Sequence, residues 1–149
     1  MTSLSFTSML QDLTATPSVS SADEKLDMSN RPLLDLHADW LASLGFLINI
    51  QTVQSSTGQD KANLIATLGR GEGGLVLAGH TDTVPYDDTQ WRSDPFALTN
   101  RDNRFYGLGT TDMKGFFAVV IEALKEMELN KLQHPLIILA TADEESSMA

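Results

Sequence analysis

A chain of 149 residues with 42% hydrophobic side chains can bury one real core, and nothing in its composition reads as disorder. Twenty acidic against ten basic residues give a net charge of -10, which argues against a nucleic-acid partner. Cysteine is absent, so disulfides, thiolate zinc sites and thiol catalysis are excluded, and any metal must be held by nitrogen and oxygen.

In chain order, Phe6, Met9, Leu10 and Leu13 recur at helical spacing and predict a first helix, ended by Pro17 and the serines after it. The first basic residue is Lys25, so no secretory signal is expected and a cytoplasmic location is the default. After the polar stretch Ser18 to Asn30, Leu33, Leu36, Trp40, Leu41 and Leu44 line a second helix, with Pro32 in its first turn and Gly45 as its cap. Phe46, Ile48 and Ile50 alternate with Leu47, Asn49 and Gln51, the period of an edge or half-buried strand ending near Val53. Ala62 to Leu68 predicts another strand.

Gly69 to Gly74 formally satisfies Gly-x-Gly-x-x-Gly. A dinucleotide fingerprint must open a helix, whereas these glycines lead into Leu-Val-Leu-Ala, so they are read as a hairpin turn. Leu75 to Gly79 is apolar without alternation, the pattern of a central strand covered on both faces, and it empties into His80-Thr81-Asp82. The long loop Thr83 to Phe96 is expected to border a cleft. Leu98 to Arg101 and Arg104 to Tyr106 flank Asp102-Asn103, a pair that suits a tight hairpin turn. A helix is predicted from Phe116 to about Glu128, with Asp112 just before it, and a buried strand from Leu136 to Ala142 delivers Asp143-Glu144-Glu145. The longest apolar runs, Phe116 to Ile121 and Leu136 to Ala140, are far short of the roughly 20 residues that cross a bilayer, so no membrane partner is expected.

This order predicts an α/β fold with a mixed, mostly parallel sheet and helices packed on it. Asp112 follows His80 by thirty-two positions, and Glu144 and Glu145 follow Asp112 by thirty-two and thirty-three, close to the length of a βαβ unit. Three polar clusters could therefore meet at one edge of one sheet, where open parallel sheets gather their ligands. One imidazole with several carboxylates suits Zn²⁺, Co²⁺ or Mn²⁺. Asp112, between the other two clusters, is the natural bridge in a two-metal site, with His80 on one ion and Glu145 on the other. Asp82 could orient His80 through its other ring nitrogen, and Glu144 is then free to move a proton. The spacing alone leaves the two glutamates interchangeable.

At His80-Thr81-Asp82, Gly109 to Gly115 and Asp143-Glu144-Glu145, taken in this order, the chain resembles the metal-dependent family of acetylornithine deacetylase, succinyl-diaminopimelate desuccinylase and related aminoacylases and carboxypeptidases. Ala78 to Pro85, Ser93 to Phe96 and Ala140 to Glu145 extend the likeness, and Leu108 with Phe116-Phe117 favours the deacetylase branch over the desuccinylase. The resemblance implies the first part of a zinc-exopeptidase-like catalytic domain over residues 1–149. The remaining ligands and a lid domain that mediates homodimerisation would then lie elsewhere. It also implies two divalent ions, Zn²⁺ or Co²⁺, with His80 and Glu145 each binding one, Asp112 bridging, Asp82 supporting His80 and Glu144 as base and then acid. The reaction implied is hydrolysis of N2-acetyl-L-ornithine to L-ornithine and acetate, in arginine biosynthesis, with a cis peptide at Asp112-Met113 and little activity in this segment alone. The alternatives are a desuccinylase or dipeptidase of the same family, or a non-catalytic folding or assembly fragment.

The remaining polar residues are given no chemistry. His37 and His134 are read as structural or solvated, the acids from Asp23 to Asp27 as a solvated face, and Lys114 as a surface charge or a contact near Asp112. Met113 and Met148 are read as packing.

Overall fold

A computed structural model of the chain describes residues 4–146; Met148 lies outside them. Two helices come first, α1 (Phe6–Ala15) and α2 (Arg31–Ser43), then strands β1 (Leu47–Val53), β2 (Lys61–Leu68) and β3 (Leu75–His80). A small hairpin, β4 (Thr99–Arg101) and β5 (Arg104–Tyr106), precedes helix α3 (Lys114–Lys125), a short 3₁₀ turn and strand β6 (Leu136–Thr141). Local chemistry sets most of these limits. Ser5 and Ser8 form a reciprocal capping box at the start of α1, Pro32 sits in the first turn of α2, and Gly45 at φ +91 ends it. Asp102 and Asn103 take φ +53 and +57, the conformation a two-residue hairpin between β4 and β5 requires.

The main sheet has the order β1-β2-β6-β3. Ala62, Leu64 and Ala66 of β2 and Leu136, Ile138 and Ala140 of β6 are buried on one face, under Leu33, Leu34 and Leu41 of α2 and Phe117, Ile121 and Leu124 of α3. Helix α1 packs on α3 through Met9, Leu10 and Leu13. The α/β architecture with a mixed sheet is as expected. Only β3 and β6 pair in parallel, however, and β1–β2 and β2–β6 are antiparallel, so the predominance of parallel pairing does not hold among the described residues.

Two expectations about β3 are corrected. The glycine-rich run after β2 is not a hairpin turn, because β6 inserts between β2 and β3. The run carries the chain across the start of β6: Leu75 N–H donates to Pro135 O at 3.0 Å, and a Cβ on Gly74, at φ +108, would fall 2.1 Å from the same oxygen. Nor is β3 covered on both faces. It lies at the edge of the described sheet: Val76, 53% exposed, points to the face that no described element covers, while Leu75, on the α3 side, is 57% exposed where it lines an apolar concavity beside the second half of α3. An unbroken apolar run reports composition, and composition cannot say which layers are present.

Helix α2 also buries a residue expected to be solvated or structural. His37 is fully buried against Phe117 and Trp40, with neither ring nitrogen hydrogen-bonded. Burial, aided by the Lys114 charge, lowers its pKa from 6.5 to about 3, so it stays neutral in the folded chain. Below pH 6.5 the unfolded chain takes up a proton that the folded chain refuses, so stability present above that pH declines as pH falls toward 3. Urea denaturation across this window should show a decline approaching about 1.4 kcal/mol per pH unit from this residue. His37→Leu should flatten that decline while matching or exceeding the parent near pH 8, since it removes two orphaned nitrogens.

Candidate metal centre

The parallel register sets His80, the last residue of β3, opposite Thr141, the last residue of β6. Both strands therefore leave the sheet at one edge. Helix α3 runs back along β3, with Met113, Phe116 and Phe117 of its first turn beside Gly79, so Asp112 comes to the same edge. The three clusters that are far apart in sequence meet here. His80 Nε2 lies 3.1 Å from Asp112 Oδ1 and 3.9 Å from Glu144 Oε2. Ligand atoms of His80, Glu144 and Glu145 all fall within 4.8 Å of one another. Asp112 lies outside that trio, and its contact in the cluster is the one with the imidazole. The Asp112-Met113 peptide is cis, as the resemblance implied.

Asp82 is fully buried beneath this group. Its Oδ2 accepts the Glu145 backbone N–H at 2.9 Å, and its Oδ1 lies 3.5 Å from His80 Nδ1 without a hydrogen bond. His80 Nδ1 also faces the Asp82 backbone oxygen at 3.0 Å. With two acceptors before it, Nδ1 is assigned the ring proton, which leaves the Nε2 lone pair pointing at the Asp112 carboxylate. A lone pair and a carboxylate oxygen 3.1 Å apart are mismatched unless a proton or a metal ion stands with them. Two ligands each about 2.1 Å from one tetrahedral Zn²⁺ stand about 3.4 Å apart, so the donor set fits a divalent ion.

Charge at the site makes the same point. Burial raises the Glu145 carboxyl above its ordinary value, and repulsion from Asp112, Glu144 and Asp82 adds to this against the opposing pull of His80. Glu144 and Asp112 keep 45% and 74% of their side-chain surface exposed, so the cluster opens to solvent on the acid side. A cavity of about 280 Å³ adjoins it, lined by Asp112 and Glu145 with Thr83, Val84, Trp91 and Leu108. Trp91 comes from the loop expected to border a cleft. A larger apolar concavity of about 640 Å³ lies toward the opposite end of β3, against the second half of α3, and none of the five residues His80, Asp82, Asp112, Glu144 and Glu145 lines it.

The surroundings include residues that the sequence reading left unassigned or placed in solvent. Lys114 is 1% exposed, donates to Thr16 O at 2.9 Å, and has its pKa lowered to about 8 by burial. Asp27 is buried as well; desolvation raises its carboxyl, but hydrogen bonds from Lys61, Thr57 and the Ser21 N–H outweigh this and hold it below the usual range. Asn30 ties α2 to the site strands, with Nδ2 donating to Ala62 O at 2.9 Å and Thr81 Oγ1 at 2.8 Å. Ser18 and Ser20 are buried where Val19 bridges Thr83, alongside the segment that follows His80. Nothing in their local sequence sets these residues apart from a polar loop.

Residues 76–149 match the model of peptidase family M20/M25/M40. The chain is 56% identical over 144 residues, 97% of its length, to acetylornithine deacetylases of Photorhabdus laumondii and of Proteus mirabilis. It spans 37% of the length of each of those relatives. Among solved structures, human carnosine dipeptidase 1 superposes with a TM-score of 0.78 at 25% identity, over 94% of this chain and 32% of the dipeptidase. The M20 family metallo-carboxypeptidase Sso-CP2 of Sulfolobus solfataricus shares the fold, with a TM-score of 0.77 at 22% identity over 94% of this chain and 31% of that one. With the three acidic and imidazole clusters gathered at one sheet edge, the chain belongs to peptidase family M20/M25/M40, the metallohydrolase family that its motifs resemble.

Proposed function

We propose that the full-length protein carrying this segment hydrolyses N2-acetyl-L-ornithine to L-ornithine and acetate, as a cytoplasmic homodimer serving arginine biosynthesis. The substrate assignment rests on the likeness to acetylornithine deacetylases over 97% of the chain. The observation that carries the metal reading is the convergence of His80, Glu144 and Glu145 ligand atoms within 4.8 Å of one another, with Asp112 Oδ1 3.1 Å from His80 Nε2.

In this reading two divalent ions, Zn²⁺ or Co²⁺, would be held by His80, Asp112 and Glu145 together with further ligands from other parts of the protein. When bound, such ions supply Lewis-acid activation of the amide carbonyl and of water. Asp82 holds the proton of His80 on Nδ1 and keeps Nε2 free to ligate. Glu144, exposed at the mouth of the cluster, takes a proton from the attacking water on a carboxylate oxygen and returns it to the leaving amine nitrogen. The cavity lined by Trp91 and Leu108 offers the substrate an apolar wall beside the acids.

Titrating the metal-free protein with Zn²⁺ tests the part given to Asp82. Asp82→Asn should weaken binding by about 10–100-fold, and an unchanged affinity would remove Asp82 from this role. Glu144→Gln should lower kcat by about 10²–10⁴-fold with metal content preserved; loss of metal instead would make Glu144 a ligand. A panel of N-acetylornithine, N-succinyl-diaminopimelate and dipeptides should show highest kcat/KM for the first, and preference for another moves the assignment within the family. The 149-residue segment assayed alone with Zn²⁺ or Co²⁺ should bind metal weakly and give no turnover of acetylornithine.

A further inference from the structure

Outside the His80 cluster, a second buried polar arrangement surrounds Lys61, at the start of β2. Its side chain is 1% exposed, and Nζ lies 2.8 Å from Asp27 Oδ1, 2.9 Å from Asp143 Oδ1 and 3.2 Å from Ser20 Oγ. Ser20 Oγ also donates to Asp143 Oδ1 at 2.8 Å. Asp27 is fixed in turn by the Ser21 N–H and the Thr57 hydroxyl. An ammonium buried with two carboxylates is a poor source of stability, because desolvation offsets most of the Coulomb gain and apolar replacements often do as well. What such an arrangement supplies is direction.

The direction matters at Asp143, the residue before the glutamate pair. Its φ is +57, in the left-handed region that a residue bearing Cβ enters only when its surroundings hold it there. On one side the Ala142 N–H donates to Asn63 Oδ1 at 2.9 Å, and on the other the Glu145 N–H donates to Asp82 Oδ2 at 2.9 Å. Between these two backbone ties, the Asp143 carboxylate is gripped by Lys61 and Ser20. Residues 142–145 are thus pinned from β2, from the Ser18–Ser20 segment and from the His80 loop at once.

We propose that Lys61, assisted by Ser20, is a positioning residue for the metal centre: by gripping Asp143 Oδ1 it fixes the left-handed turn that aims Glu144 and Glu145 at His80. This rests on the reading of His80, Asp112 and Glu145 as metal ligands. Lys61 itself contacts neither ion nor substrate, and acts through the backbone of the turn.

Two variants of the full-length protein test this, Lys61→Met and Asp143→Gly. Glycine adopts φ +57 freely, so Asp143→Gly keeps the turn accessible and removes the grip alone. Each variant should weaken Zn²⁺ binding by metal-free protein about 10-fold or more, read by competition with a chromophoric chelator. At saturating metal each should lower kcat with KM little changed. The double variant should be no worse than the weaker single one, because both cut the same tie. A purely structural contribution would lower the thermal midpoint yet leave Zn²⁺ affinity and kcat of the folded protein at parental values, and that result overturns the proposal. If Lys61→Met does not fold, Asp143→Gly, at a side chain 20% exposed, decides the matter alone. His80→Ala, run in parallel, separates the two readings. Parental Zn²⁺ affinity in His80→Ala overturns the metal reading and the positioning with it. Loss of Zn²⁺ in His80→Ala, with parental values in the other two variants, overturns the positioning alone.

Discussion

The parallel pairing of β3 with β6 is the constraint from which the site follows. Six residue pairs, from Leu75 with Leu136 to His80 with Thr141, bring both strands to the sheet edge in step. A slip of β3 by one residue would turn His80 toward the other face and take Gly79 away from α3, while β6 is held in place by its pairing with β2 and its buried Leu136, Ile138 and Ala140. Asp112 stands at the same edge just before α3, which runs back along β3 so that β6 can return the chain to the site. No single segment builds the cluster; the topology does.

Gathering three or four carboxylates about one imidazole is unfavourable unless something compensates. Part of the compensation is geometric: Asp82 is buried whole and takes a backbone N–H from the very segment that carries the glutamates. Part is ionic and lies a step further back, where Lys61 sits between Asp27 and Asp143. The remainder, on the solvent side, is left for a divalent cation. The turn is thus held from behind by Lys61 and Ser20, while Asp112 and Glu144 keep exposed carboxylates at the front.

How much of this could be read from the sequence depends on range. His80, Asp82, Asp112 and the glutamate pair stand at the ends of apolar runs or beside a helix start, so local pattern with a βαβ-sized interval found them and foretold their meeting. The insertion of β6 between β2 and β3 was not visible, because strand order is decided by long-range pairing and Gly69 to Gly74 looks the same spanning one strand spacing or two. Lys61 and Asp27 were invisible for a related reason. A charged residue at a strand end reads as solvent-facing until its partner, thirty-four positions away, is placed against it. His37 was legible only in part: three and four residues from Leu33, Leu34, Trp40 and Leu41 it falls on the apolar stripe of its helix, yet residue type alone does not say that Phe117 of α3 seals it from water.

Gly79 of β3 and Gly115 of α3 set how closely the elements beside the site pack. A methyl on Gly115 would land 2.1 Å from Thr110 O, and one on Gly79 would come within 2.9 Å of the Met113 side chain. A hydrogen at Gly79 lets the helix close down on the strand that bears the imidazole, and one at Gly115 lets the loop carrying Thr110 fold tightly against the helix start. The spacing between His80 and Asp112 therefore depends on atoms that are missing at these two positions as well as on the side chains themselves. Moving the backbone of Asp112 away from His80 would demand shifting the loop and helix together, so a change in the length of one acid adjusts reach while leaving the frame in place.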